Sequence, residues 1–288
     1  MTNTDEAEEK EGEKKDEQSD SPTSPEKVNL IFNKAVNCRK LFVFVQKLIA
    51  GVATAHAEMG LKLYLECALV AENCATMNVR GGNHSSSSCD FNGMAYEFIA
   101  QAFILYEDEI SDSKIQYRSI VSMVGTLLSC RSFAKEDYES LITKTTQYGA
   151  KLLRKPDQCK MIIMCSHLFY RNEKDGLQPY HNPQRVLECL QRALKLADAC
   201  MSSSSNCIHL FIEILDAYVY FFDMECPVIT DKFISGLIAL INEYIDNTRD
   251  FTDSTIEAQA HYSQILRHIS RKKSYPQTSS RYAPIICG

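Results

Sequence analysis

The sequence predicts an all-α chain, a HEAT-like α-solenoid of about five helix pairs behind a disordered acidic N-terminal tail. Three observations predict it. From Leu30 onward the apolar residues recur at helical spacing almost throughout. No stretch alternates apolar and polar residues between Gly or Asn-Gly turns, as a sheet would. Predicted helix starts return at an interval of about 44 to 48 residues, the length signature of stacked HEAT-like pairs and longer than the tetratricopeptide period of about 34.

Residues 1–27 are Glu, Lys, Asp and Ser with two Pro and no large apolar residue after Met1. Such a segment buries too little to offset its ordering entropy, so it is expected to be a disordered acidic tail. Residues 28–273 are expected to form the solenoid. Ala95, Phe98, Ile99, Ala102, Tyr106 and Ile110 follow the i, i+3, i+4, i+7 rule, as do Val186, Leu190, Leu194, Ala197 and Met201. Ile208, Phe211, Ile212, Leu215, Val219 and Phe222 make a third stripe.

Breakers divide this pattern. Ser111, Asp112 and Ser113 are N-cap types after a helix ending near Ile110, and Pro156 suits the first turn of the next helix. Pro183 and Pro227 do the same for helices near Gln184 and Val228. The repeating starts fall near residues 92, 136, 183 and 227, with intervening helices near 112, 156, 204 and 252. Two long loops, from Arg80 (RGGNHSSSSCDFNG) and from Tyr170 (YRNEKDGLQPYHN), are expected to be mobile and exposed. Residues 274–288 are expected to be a flexible C-terminal tail. Phe42, Phe44 and the aromatic group Tyr218, Tyr220, Phe221 and Phe222 read chiefly as core. The last group covers more than one helix face, so its helix is either central in the stack or covered by a partner.

The formal net charge of -6 is unevenly placed: residues 1–27 hold 10 of the 37 acidic residues and 4 of the 31 basic ones, leaving a neutral body. From residue 258 to the end there are Arg267, Arg271, Lys272, Lys273 and Arg281 and no acid. Charges at a helix C-terminus account for these without nucleic acid or membrane. Twelve cysteines would suit disulfides in a secreted chain, but residues 1–27 offer no apolar signal core, which favours a cytosolic setting. The run from Leu41, broken by Gln46 and Lys47, is too short to span a bilayer.

Catalytic templates are not matched: there is no phosphate loop, GxSxG, HExxH or CxxC. Cys165-Ser166-His167 and Cys207-Ile208-His209 put thiol and imidazole about 200° apart on a helix, so neither pair chelates an ion. Glu107, Asp108, Glu109 and Asp112 form an acidic helix end with no partner histidine nearby in sequence. No catalytic residue, cofactor or metal is expected.

The blocks AYEFIAQAFILYEDEISDSK (Ala95 to Lys114), KLLRKPDQC, CSHLFY, RVLECLQRALKLAD and LFIEIL resemble the C-terminal part of the retromer large scaffold subunit family. The likeness runs in order from about Cys38 to about Arg271. It implies a HEAT-like solenoid without catalysis, in a coat that returns transmembrane cargo from endosomes toward the Golgi or cell surface. It also implies a direct partner, the small metallophosphoesterase-fold subunit, around which the family's solenoid curls, with other retromer and sorting subunits as indirect partners, and a cytoplasmic protein peripheral to endosomal membranes through its complex. The family's longer N-terminal portion has no counterpart here, and the Ser-rich loop at 83–93 is extra. Upstream of about Cys38 the acidic segment is expected to replace helices that help line the small-subunit groove.

Within the matching blocks, Asp112, His167 and Tyr170 are the candidate partner contacts. Capping for Asp112 and packing for His167 are the competing structural roles. The rival functions are a free-standing helical adaptor or decoy, and an enzyme assembled between helices around Glu107, Asp108 and His167.

Overall fold

The computed structural model describes residues 38–80, 90–173, 179–203, 207–247 and 253–287. The chain divides into two units, Met1–Val43 and Phe44–Gly288. Of the first, only 38–43 is described, as the opening of a helix. The expected acidic tail at 1–27 lies outside the described residues.

Among the described residues eleven α-helices follow in order: α1 (Cys38–Ala53), α2 (Ala57–Arg80), α3 (Phe91–Asp108), α4 (Ser113–Ser129), α5 (Lys135–Ala150), α6 (Lys155–Ser166), α7 (Pro183–Met201), α8 (Ile208–Asp223), α9 (Asp231–Asn247), α10 (Asp253–Ser274) and the single turn α11 (Ser279–Tyr282). The fold is an all-α solenoid, as expected. Its starts at Phe91, Lys135 and Pro183 sit within a residue of those predicted by periodicity.

Local chemistry sets these boundaries. The Asp112 carboxylate accepts the backbone N–H groups of Lys114 and Ile115 at 3.0 and 2.9 Å, satisfying two of the orphan donors that open α4. Asp90 caps α3 through Gly93 N–H, and Asn182 caps α7 through Arg185 N–H. Pro156 and Pro183 occupy the first turns of α6 and α7, where a missing N–H costs nothing.

Pro227 departs from expectation. It lies in a turn, and α9 begins four residues later at Asp231. Glu225, at φ 59°, reverses the chain after α8, and Cys226 N–H closes onto Phe221 C=O.

The helices stack in two layers. From α2 to α9 each packs on its sequence neighbour, and the even-numbered helices also pack on one another: α2 on α4, α4 on α6, α6 on α8 and α8 on α10. The odd-numbered helices α3, α5, α7 and α9 lie behind this row. Helix α8 touches α6, α7, α9 and α10, which explains its apolar faces: Tyr218, Phe221 and Phe222 are all buried.

Three expectations are corrected. The loop from Tyr170 contains a short antiparallel ribbon, β1 (Tyr170–Arg171) with β2 (Tyr180–His181), too brief to leave an alternating pattern. Residues 274–287 are not a loose tail: Tyr282 is 0% exposed and Ile285 is buried beside it. Phe44, read as core, is 58% exposed on α1.

Polar ties join the repeats. Buried Glu72 on α2 accepts the N–H groups of Arg131 and Ser132 in the α4–α5 loop, and the Ser132 hydroxyl donates to it as well. Arg171, turned inward by the ribbon, donates to the Leu127 and Cys130 carbonyls at the end of α4, with its guanidinium 3.7 Å from the Tyr138 ring centroid.

Candidate functional site: the face of the even-numbered helices

The even-numbered row carries two connected grooves between α4 and α10. The larger, about 620 Å³, is lined from Tyr117 of α4 through Lys160 of α6 to His268 of α10. Helix α8 contributes a stripe at i, i+3, i+7 and i+10: Glu213, Asp216, Tyr220 and Asp223. The smaller, about 410 Å³, shares Lys160 and Glu213 and adds His209, Glu257 and His261. Four successive even-numbered helices thus build one surface.

His167 is on this surface. It sits in a 3-10 turn after α6, its ring stacked on Phe221 (5.0 Å, 28°) and edge-on to Tyr220 (4.7 Å). Burial favours the neutral imidazole and pulls its pKa below the ordinary value, against the opposing pull of Asp216. Asp112 borders a separate groove of about 560 Å³ between α2 and α4, where Glu58 and Lys62 pair at 2.8 Å. Tyr170 is buried, its ring stacked on His181 at 4.2 Å. The structure therefore puts His167 and Asp112 on the even-numbered face and Tyr170 beneath the surface.

Most of the groove charges are paired. Lys160 meets Glu213 at 3.1 Å. Asp223 takes Lys272 at 3.0 Å, His268 at 2.7 Å and the Tyr282 hydroxyl. Burial works against the charged Asp223 carboxylate, but those three hydrogen bonds outweigh it and hold its pKa below the usual range. Asp216 meets His261 at 3.7 Å.

The rival catalytic set does not converge. Glu107, at the end of α3, accepts a hydrogen bond from Tyr148 at 2.7 Å and pairs with Lys144, both on α5, whereas His167 faces α8. Among the described residues no group of three or more His, Cys, Asp and Glu is disposed to hold a metal ion. Cys165 points into the core, where burial raises its thiol to about 12, while His167 two residues on faces the groove. The basic end is largely consumed in ties: Lys272 to Asp223, Lys273 to the Ile285 carbonyl and Arg281 to Glu225. Among the described residues no helix is long and apolar enough to cross a membrane.

Comparison with known proteins supplies the identification. The family profile described as vacuolar protein sorting-associated protein 35 matches residues 2–244. The chain belongs to this family. It is 38% identical over 255 residues to vacuolar protein sorting-associated protein 35B of Arabidopsis thaliana, covering 86% of this chain and 30% of that protein. It is 45% identical over 155 residues to the family member of Schizosaccharomyces pombe, covering 54% of this chain and 18% of that one. The chain thus spans less than a third of the length of these relatives. The family match also reaches upstream of Cys38 into the acidic segment, so the expected break in likeness there is corrected.

Sequence reasoning missed Asp216, Tyr220 and Lys160 as surface features. The signal was present as a polar side on an otherwise apolar helix, with Glu213, Asp216 and Asp223 at helical spacing.

Proposed function

We propose that this chain is a non-enzymatic scaffold, the solenoid portion of a retromer large subunit. Its even-numbered face binds the small metallophosphoesterase-fold subunit. In this reading it works in the cytoplasm, peripheral to endosomal membranes through its complex, in returning membrane cargo from endosomes. It needs no cofactor and contacts no nucleic acid.

The observation that carries the reading is the surface built by four successive even-numbered helices. A solenoid spreads contacts over several repeats, and stable protein interfaces bury roughly 1,200 to 2,000 Å², an area that one such face can supply without an enclosed pocket. His167 contacts the partner directly, Asp112 contacts it at the α2–α4 groove, and Tyr170 positions the turn that holds His167.

Titration calorimetry of this chain against the purified small subunit tests the reading. Saturable binding at micromolar concentration or below is expected. No binding while circular dichroism shows an intact helical fold would overturn it.

A further inference from the structure

We propose that the α8 stripe around Asp216 and Tyr220 receives an arginine-bearing basic segment of the partner. This rests on the reading of the even-numbered face as the small-subunit surface and adds the chemistry of what enters it.

Three carboxylates of α8 line the groove, and their partners differ. Glu213 is answered by Lys160 at 3.1 Å, and Asp223 by Lys272 and His268 at 3.0 and 2.7 Å. Among the described residues Asp216 has a single ionic contact, the His261 imidazole at 3.7 Å, which is charged only when protonated. Its side chain is 59% exposed. The groove therefore presents a carboxylate without a permanent cation.

One turn further along α8, the Tyr220 ring is 42% exposed. Its ring is braced by T-shaped contacts with His167 at 4.7 Å and Phe221 at 5.2 Å. An accessible carboxylate next to a braced aromatic ring matches the guanidinium group, which donates to a carboxylate from its edge and stacks by its plane. A lysine ammonium satisfies the charge but cannot stack as a plane. Lys160, which lines the groove, and Lys272, which reaches the groove carboxylate Asp223, are both occupied, so the surface offers a basic segment no uncompensated lysine among its described residues.

Binding of the small subunit to wild type, Asp216→Lys, Tyr220→Ala and the control Glu139→Lys on α5 tests this. Asp216→Lys is expected to weaken binding at least about tenfold, and Tyr220→Ala several-fold, with Glu139→Lys unchanged. The Asp216→Lys effect is expected to shrink as salt rises from about 50 to about 300 mM. If wild type binds and Asp216→Lys binds equally at low salt, this inference falls and the proposed function stands. If wild type does not bind, a fluorescein-labelled Gly-Arg-Arg-Gly peptide replaces the subunit. Anisotropy that rises with wild type but not with Asp216→Lys then supports the arginine site, and no rise with wild type overturns it.

Discussion

The Tyr282 hydroxyl donates to the Asp223 carboxylate, tying α11 to the last turn of α8 across 59 residues of sequence. The Tyr282 ring also packs edge-on against Phe222 at 5.0 Å, and Ile286 N–H reaches the Ser235 hydroxyl on α9. The last dozen residues thereby clasp α8, α9 and α10. Tyr282→Phe removes one hydrogen bond and is expected to lower unfolding free energy by about 1 kcal/mol. Tyr282→Ala empties a fully buried ring site and is expected to cost about 3 to 5 kcal/mol. Urea titration followed by circular dichroism separates the two.

The same carboxylate gives an acid dependence. The folded chain holds Asp223 ionised to lower pH than the unfolded chain does, so the stability it adds is complete above the ordinary carboxylate value of about 4. That stability is lost as pH falls through the depressed value. Thermal melts between pH 7 and pH 3 should show wild type losing more melting temperature than Asp223→Asn over the most acidic part of the range. Equal losses would show that Asp223 is not a source of the dependence.

Glu72 anchors the α4–α5 loop from a different helix. Glu72→Ala leaves the Arg131 and Ser132 N–H groups without their acceptor, and the expected cost is about 2 to 4 kcal/mol, far above that of an ordinary surface substitution. Arg171→Lys is expected to cost about as much as Arg171→Met. A lysine cannot both reach the two α4 carbonyls and lie flat on Tyr138. Chemical denaturation of each variant checks both expectations.

Two glycines should respond oppositely to alanine. A Cβ at Gly60 would lie 2.6 Å from Ala53 Cβ, across the turn that joins α1 to α2, so Gly60→Ala is expected to destabilise by about 1 to 3 kcal/mol. A Cβ at Gly125, inside α4, meets nothing within 4 Å, so Gly125→Ala is expected to stabilise by about 0.5 to 1 kcal/mol. Differential scanning calorimetry should resolve the two signs.

The helix pairs were legible in the sequence because apolar spacing and caps are local signals: Asp112, Pro156 and Pro183 mark boundaries that the structure keeps. Pro227 misled because the same residue type serves a turn as well as a first helical position. The clasp was hidden because Tyr282 and Ile285 are isolated apolar residues among Ser, Pro and Arg, without a run long enough to show a period. Glu72 and Arg171 look like surface charges in sequence. Their roles depend on loops that lie 60 and 41 residues away from them along the chain. On the candidate surface, His167 and Asp112 were legible as polar positions, whereas Asp216 needed its neighbours' pairings to be known.

The cross-repeat ties at Glu72, Arg171 and Asp223 each bridge roughly one repeat length, and none of them joins the two ends of the stack. Opening therefore has no single all-or-none unit: each repeat is coupled to the next. Amide hydrogen exchange should consequently form a gradient along the chain, slowest in α6 and α8, whose neighbours lie on both sides, and fastest in α1.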